Sequence, residues 1–190
     1  MFQEHAPRFG HIEVIAGSMF SGKTEELIRR LKRAQIAQLK VLIVKPITDN
    51  RYADNEVVTH DQGRMNALAV ASAREIIALA SEADVVGIDE AQFFDMDIVA
   101  VANELANAGK RVVLAGLDMD FHGEPFGPMP NLMAVAEFVT KVHAVCVRSG
   151  ELANYSHRLI ADPNRVMLGD RRTYEPLSRA EFVRERRSTK

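Results

Sequence analysis

At 190 residues with 47% hydrophobic side chains, the chain suits one well-buried domain with a small appendage rather than two full-size domains. Its net charge of -2 excludes the overall basic footprint of a nucleic-acid-binding protein. The single cysteine, Cys146, excludes an intrachain disulfide and fits a reducing compartment. Since the sequence shows neither a run of about 20 apolar residues nor a signal peptide's apolar core, we expect a cytoplasmic protein with no membrane or nucleic-acid partner.

The first half of the chain alternates apolar runs with a helical pattern, which is typical of parallel strands joined by crossover helices. A strand is predicted over 11–16 (HIEVIA), a helix over 21–39 and a second strand over 40–46. The polar stretch over 48–64 predicts a loop. Within the helix, apolar side chains recur at helical spacing at Leu27, Ile28, Leu31 and Ala34.

The middle of the chain repeats this alternation. A helix is predicted over 71–83, with Ser72 as its N-cap because Glu75 stands three residues on, as in a capping box. A third strand is predicted over 84–90. A further helix is predicted over 96–109, where a glycine closes the pattern.

A fourth strand is predicted over 110–117. Because these four strands are apolar on both faces, helices should cover both sides of a mostly parallel sheet, which is an α/β fold. After it the pattern weakens into short strands and loops. We therefore expect a main domain over 1–142, a small domain over 143–183 and a disordered basic tail over 184–190.

A glycine-rich turn, GSMFSGKT, stands between the first strand and the first helix and fits G-x-x-x-x-G-K-[ST]. Its glycines leave room for backbone N–H groups to curl around phosphate oxygens, and the helix adds its positive N-terminal end. Lys23 is placed to reach the outer phosphates, and the Thr24 hydroxyl is placed to ligate Mg²⁺. The turn consists of Gly17, Ser18, Met19, Phe20, Ser21, Gly22, Lys23 and Thr24.

Two adjacent acids, Asp89 and Glu90, follow the apolar run of the third strand. An open parallel sheet exposes the end of that strand beside the first strand-helix turn. One carboxylate could hold Mg²⁺, usually through water, while the other addresses a nucleophile. The sequence therefore predicts transfer or hydrolysis of a nucleotide's terminal phosphate.

Five motifs, GSMFSGKT, DNRY, GIDEAQFF, LDMDFHGEPFG and YEP, occur in order between about residues 10 and 182. Together they resemble the thymidine kinases of the cytosolic type shared by Gram-positive bacteria and animals. The resemblance implies a P-loop, RecA-like ATP-binding domain with a small C-terminal lasso-type domain that closes over the nucleoside. It also implies phosphoryl transfer from ATP to the 5′-hydroxyl of thymidine for nucleotide salvage, by a homotetramer that uses Mg²⁺.

Catalytic and cofactor roles follow from the same resemblance, residue by residue. Glu90 matches the general base that takes the proton of the 5′-hydroxyl, and Asp89 matches the magnesium-associated acid. Ala91 and Gln92 fall in the same nucleotide-contacting segment. Arg51, in DNRY, matches an arginine near the phosphates, where its fork would stabilise the charge of the transition state.

The nucleoside site is also taken from the resemblance. Without the resemblance, the apolar residues among these substrate positions would be assigned to the hydrophobic core. Ser156 stands where many relatives have threonine near the thymine methyl, so we expect deoxyuridine to be accepted as well. Arg165 to Gly169 and Tyr174 match the family's closing loop, which the resemblance implies reads the base through main-chain groups. Asp170, Arg171 and Arg172 make this loop more charged than is usual in the family. The implied substrate residues are Met19, Phe93, Leu117, Phe121, Phe126, Ser156, Arg165, Val166, Met167, Leu168, Gly169 and Tyr174.

One departure from the family concerns a metal. Relatives commonly bind a structural zinc through two pairs of cysteines in the small domain. One thiolate with hydroxyls and a carboxylate is a poor tetrahedral zinc set, and neither His143 nor His157 is expected to complete it. We therefore expect no structural zinc. The matching positions here are Cys146, Ser149, Ser178 and Glu181.

Two alternatives stay open at this point. A regulatory or nucleic-acid-coupled NTPase is suggested by the phosphate loop and by the arginines at Arg29, Arg30 and Arg33, although the chain has no [NT]-K-x-D guanine-reading motif. A kinase acting on another nucleoside or monophosphate is the closer rival. A panel of deoxynucleosides with Mg-ATP separates all three.

Overall fold

The computed structural model describes residues 9–47, 56–58, 64–160 and 173–188. Its strands, in chain order, are β1 (His11–Gly17), β2 (Val41–Pro46), β3 (Glu56–Val58), β4 (Arg64–Asn66), β5 (Leu68–Val70), β6 (Val85–Ile88), β7 (Arg111–Leu117), β8 (Phe138–Val142), β9 (Ala144–Val145), β10 (Leu152–Ala153), β11 (Tyr155–Arg158) and β12 (Tyr174–Leu177). Its helices are α1 (Lys23–Ile36), α2 (Glu75–Leu79), α3 (Asp97–Asn107), α4 (Met129–Val135) and α5 (Arg179–Ser188), and a 3-10 turn spans Ala91–Phe93. None of the helices within these ranges is long and apolar enough to cross a membrane.

Within the described ranges, six strands form one parallel sheet in the order β5-β2-β6-β7-β1-β8. In its register Gly17 lies opposite Leu117 on β7 and Val142 on β8. Ile88, the last residue of β6, lies opposite Leu114. The carboxyl ends of β1, β6 and β7 therefore meet at one edge, which is where open α/β sheets bind their ligands.

Helices cover both faces of the sheet, as the apolar strands predicted. On one face, Val14 of β1 packs in a buried cluster with side chains of α2, α3 and α4. Met129 is the α4 side chain that begins this contact. On the other face, Ile15 of β1 packs with the apolar side of α1. The approach of α1 to the sheet is close, since a Cβ on Gly87 would stand 2.4 Å from Leu31 Cδ1. Glycine at this position therefore allows α1 to lie flat on β6.

A charged network ties α1 to the sheet. Glu13, buried in β1, accepts hydrogen bonds from Arg30 Nη1 of α1 at 2.7 Å and from Arg111 Nε of β7 at 2.6 Å. His11 Nε2 lies 3.0 Å from the same carboxylate. Burial alone would raise the pKa of Glu13, but these hydrogen bonds and the Arg111 charge lower it to about 2. Arg30 also donates to Thr140 Oγ1 of β8 at 2.9 Å, so the network spans α1 and three strands.

The C-terminal part of the chain has a buried cluster of its own, formed by β9 to β12 and α5. Tyr155 of β11 stacks on Phe182 of α5 with ring centroids 4.3 Å apart. Two partly buried side chains from the segments that follow β1 and β7, Phe20 and Met119, pack against this cluster. The phosphate-binding turn is thus in direct contact with the C-terminal unit.

The expected disorder over 184–190 is wrong for 184–188, which continue helix α5. The helix is anchored because Phe182 is buried against Tyr155. Arg148 also pairs with Glu185 at 2.6 Å. The prediction of disorder rested on the charged composition of the tail, which indicates neither of these contacts.

Several element boundaries also differ from the sequence predictions. The helix predicted over 71–83 is the short α2, and its assigned N-cap is Arg74 rather than Ser72. The Ser72 N–H still donates to Glu75 Oε1 at 3.0 Å, but the Ala73 carbonyl closes the first turn by accepting from Ile76 N–H. The stretch predicted as a loop contains β3, which pairs antiparallel with β4. Strands β5 and β8 and helix α4 correspond to none of the predicted elements.

Candidate active site

The phosphate-binding turn predicted from GSMFSGKT connects β1 to α1. Gly22 and Phe20 take left-handed backbone conformations, with φ of 82° and 62°. The Ser21 hydroxyl donates to the Ser18 carbonyl at 2.7 Å, and Lys23 Nζ donates to the same carbonyl at 2.6 Å. A Cβ on Gly17 would stand 2.2 Å from the Val142 carbonyl oxygen, so no residue with a side chain fits at this position. These contacts hold a compact turn at the end of β1.

Lys23 lies among the acids that surround the turn. Desolvation of this half-buried ammonium lowers its pKa, while the charges of Glu90, Asp89 and Asp118 act in the opposite direction. All three acids follow β6 or β7 at the same edge of the sheet. The lysine is therefore held next to carboxylates at the place where phosphates would enter.

Asp89 and Glu90 differ in environment although they are adjacent. Asp89 is buried and faces the turn, and Thr24 Oγ1 donates to its Oδ2 at 3.2 Å. Burial, with the neighbouring Glu90 charge, raises the pKa of Asp89 to about 7. Glu90 is exposed and stands at a left-handed position with φ of 53°. Neighbouring carboxylates in such unequal surroundings suit different roles.

A hydroxyl oxygen and a carboxylate at the mouth of a phosphate loop are the donors that Mg²⁺ prefers. Thr24 and Asp89 supply this pair within hydrogen-bonding distance of each other. The residues present therefore fit the magnesium ion implied by the sequence.

Gln92, in the 3-10 turn after Glu90, is 2% exposed. Its Nε2 donates to Glu90 Oε2, and its Oε1 accepts from the Leu117 N–H at 2.9 Å. Ala91 is buried beside it. The rings of Phe93 and Phe126 pack edge to face, with their centroids 5.7 Å apart. The structure thus links the end of β6 to the end of β7 through one amide side chain.

A second group of candidate residues lies where the C-terminal unit meets the turn. Ser156 of β11 accepts from the Met19 N–H at 2.9 Å. Arg158 of β11 stacks over the Phe121 ring with its Cζ 3.7 Å from the centroid. Its Nη2 also donates to the Tyr174 hydroxyl at 2.8 Å.

The structure therefore brings most of the predicted residues into two connected groups, one around the turn and one around β11. Arg51 and the loop residues Arg165, Val166, Met167, Leu168 and Gly169 lie outside the described residues, as do Asp170, Arg171 and Arg172. Sequence reasoning did not assign Arg158 or Asp118 to the site. An isolated arginine carries no signal of its own, whereas Asp118 stands inside the LDMDF motif and could have been found there.

The four zinc-family positions lie together but form no metal site. Ser149 Oγ and Ser178 Oγ are 3.5 Å apart, and Glu181 pairs with Arg184. Burial raises the pKa of the Cys146 thiol, but hydrogen bonds from the Ser149 side chain and from backbone N–H groups lower it to about 7. One thiol with two hydroxyls and a paired carboxylate does not fit tetrahedral zinc. Across the described part of the chain, no group of three His, Cys, Asp or Glu side chains is placed to hold a metal.

Fold and site together define an α/β nucleotide-binding protein of the P-loop class. The fold resembles the crystal structure of flagellar accessory protein FlaH from Methanocaldococcus jannaschii, with a TM-score of 0.52 and 12% identity over 77% of this chain and 76% of that one. At this identity the likeness concerns the fold alone. It confirms the predicted fold class.

The chain belongs to the thymidine kinase family, whose sequence model, described as Thymidine kinase, matches residues 10–182. It is 55% identical over 177 residues to a thymidine kinase of Bacteroides fragilis, covering 93% of this chain and 89% of the relative. It is 58% identical over 172 residues to a thymidine kinase of Porphyromonas gingivalis, covering 90% and 84%. A thymidine kinase of Rhodothermus sp. is 56% identical over 178 residues, covering 94% and 84%. These matches confirm the family and the kinase class predicted from the five motifs.

Proposed function

We propose that this protein transfers the γ-phosphate of ATP to the 5′-hydroxyl of thymidine, giving dTMP for nucleotide salvage. The observation that carries this proposal is the exposed Glu90 carboxylate at the sheet edge that also holds the phosphate turn. A carboxylate open to solvent beside a phosphate cradle can accept a proton from an alcohol. Family membership supports the identity of the alcohol.

On the phosphate side, the backbone of the turn and Lys23 bind and orient the triphosphate. The ammonium adds positive charge where negative charge spreads over the transferring phosphoryl group. Thr24 and Asp89 would hold Mg²⁺, which would supply positive charge to offset that of the triphosphate. Asp89 is buried and engaged by Thr24, so it suits metal binding better than proton transfer.

On the acceptor side, Glu90 takes the proton as the 5′-oxygen attacks the γ-phosphorus and the bond to the β,γ-bridging oxygen breaks. ADP leaves with that oxygen. Little covalent chemistry is required of the protein, so alignment and electrostatics account for most of the rate. Arg51, assigned only by resemblance, would stabilise the same transition state.

For the nucleoside, we propose that the edge-on pair of Phe93 and Phe126 and the stacked Phe121 form the apolar walls. Met19 and Leu117 would complete this apolar site. Ser156 lacks the methyl group that threonine would offer to thymine, so we expect deoxyuridine to be used too. Tyr174 and the segment 165–169 would contact the base.

Four finer expectations stay with this proposal. The buried C-terminal cluster supports a small domain over 143–183. The exposed apolar side chains on edge strand β8, Phe138 at 50% and Val139 at 44%, support an oligomer, for which we propose the family's homotetramer. The composition around Cys146 supports a protein without structural zinc. The lone cysteine supports a cytoplasmic location.

The test is ADP release with Mg-ATP and each of thymidine, deoxyuridine, deoxycytidine, deoxyadenosine and deoxyguanosine. We expect strong stimulation by thymidine, weaker or equal stimulation by deoxyuridine and none by the purines. Lys23→Met should remove it, whereas Lys32→Met, on the exposed side of α1, should not. ADP release that needs no nucleoside would favour an NTPase, and stimulation by another nucleoside alone would favour the rival kinase.

A further inference from the structure

The side chain of Gln92 joins two segments of the site. Its Oε1 accepts from the Leu117 N–H at 2.9 Å at the end of β7. Because a backbone N–H can bond only to the amide oxygen, this contact orients the amide and turns its NH₂ group the other way. That group donates to Glu90 Oε2. The Leu117 N–H at the end of β7 thereby ensures that the NH₂ group of Gln92, and not its oxygen, meets the Glu90 carboxylate.

The surroundings of Gln92 keep this amide in place. A Cβ on Gly116 would stand 2.8 Å from Gln92 Oε1, and one on Gly127 would stand 2.5 Å from the Gln92 carbonyl oxygen. Glycines at these two positions therefore let the residue sit tightly against β7 and against the segment before α4. The side chain is 2% exposed, so water does not compete for its hydrogen bonds.

Glu90, by contrast, has little packing to hold it. It is exposed, and its left-handed backbone turns it out of the line of β6. Its N–H donates to Asp89 Oδ1 at 3.0 Å, which orients the backbone but not the Glu90 carboxylate. A glutamate side chain with this freedom samples several rotamers, and only some of them face the phosphate turn.

We propose that Gln92 is a positioning residue that orients the Glu90 carboxylate for proton transfer. The inference rests on the proposed role of Glu90 as general base. Gln92 holds Oε2, which leaves Oε1 of Glu90 to meet the 5′-hydroxyl. In this role Gln92 acts on the transferred proton through Glu90 and not by accepting it.

Two substitutions separate this role from a structural one. Gln92→Met keeps the length of the side chain and removes both hydrogen bonds. Gln92→Glu keeps an oxygen for the Leu117 N–H but loses the donor to Glu90. If Gln92 acts by positioning, both variants lower kcat by roughly 10- to 100-fold, and KM for ATP and thymidine stays within about threefold.

The matched control is Asn103→Leu, which removes an amide hydrogen bond to the Val99 carbonyl (2.8 Å) within α3. We expect its kcat to equal that of the unmodified enzyme. Rates are expressed per nucleotide-binding site, titrated with a fluorescent ADP analogue, so that unfolded protein does not count as lost turnover. If Gln92→Met folds poorly, Gln92→Glu decides, because it retains the contact with Leu117.

A double-mutant cycle tests whether Gln92 acts through Glu90. In the Glu90→Gln background, Gln92→Met should lower the residual kcat by less than about twofold, since the group it positions is gone. Multiplying losses in the double variant would overturn the proposal, and so would a normal kcat in both single variants. If Glu90→Gln itself turns over normally, the general-base assignment fails. If Glu90→Gln is impaired while both Gln92 variants are not, only the positioning role fails.

Discussion

Replacement of Glu13 by Gln tests the buried ion network that holds α1 against the sheet. The structure indicates a folded pKa of about 2 against an ordinary value of 4.5. At 1.36 kcal/mol per pKa unit, this difference corresponds to about 3 kcal/mol of stability. Because the folded pKa is the lower one, the contribution is complete above about pH 5 and is lost as the pH falls toward 2.

The assay is urea unfolding of the unmodified protein and Glu13→Gln at fixed protein concentration and several pH values. At pH 7 we expect the variant to lose about 3 kcal/mol, since Arg30 and Arg111 would face a neutral amide. By pH 3 the difference between the two proteins should shrink clearly. The control is Glu82→Gln, whose side chain is 85% exposed in its pair with Lys40. An exposed pair of this kind contributes less than about 1 kcal/mol.

Two results would refute the reasoning about Glu13. One is a loss below about 1 kcal/mol at pH 7, which would mean that desolvation of the carboxylate cancels its hydrogen bonds. The other is a loss that stays the same from pH 7 to pH 3, which would mean that packing rather than charge accounts for it.

Three further predictions concern the active site and the zinc-family positions. Glu90→Gln should keep nucleotide binding and lower kcat by roughly 10² to 10⁴, measured by steady-state kinetics and ADP titration; near-normal turnover would assign the proton to another group. Arg158→Lys should raise KM for thymidine several-fold but not KM for ATP, since lysine cannot both stack on Phe121 and hold the Tyr174 hydroxyl; equal changes in both would contradict this. Metal analysis should find less than one zinc per chain, and stoichiometric zinc in the unmodified protein would disprove the zinc-free assignment. A triple variant that combines Ser149→Cys, Ser178→Cys and Glu181→Cys should gain about one zinc per chain.

The parallel sheet and its helical layers were predictable because local patterns carry that information. A strand buried on both faces needs a continuous apolar run, and a helix on one face needs apolar residues every three or four positions. The phosphate turn was predictable for a related reason. Its function depends on the spacing of Gly17, Gly22 and Lys23 within eight neighbouring residues.

Errors arose where an element depends on distant contacts. The residues from 184 onward look like a charged tail in the sequence, but they continue α5, which Phe182 anchors on Tyr155, 27 residues earlier. Strand β5 has three residues and becomes a strand only by pairing with β2. Such short segments carry too little local preference to be recognised alone.

The sequence by itself determined the fold class, the phosphate turn, the acidic pair and the family, since each depends on residues close together in the chain or on the order of motifs. The tertiary structure alone decided the contacts that complete the site: Gln92 between Glu90 and Leu117, Ser156 against Met19, and Arg158 against Phe121. The physical reason is that these contacts join residues from different strands and loops. Their geometry follows from how the sheet orders its strands and how the C-terminal unit packs on it, and no local pattern in the sequence encodes that arrangement.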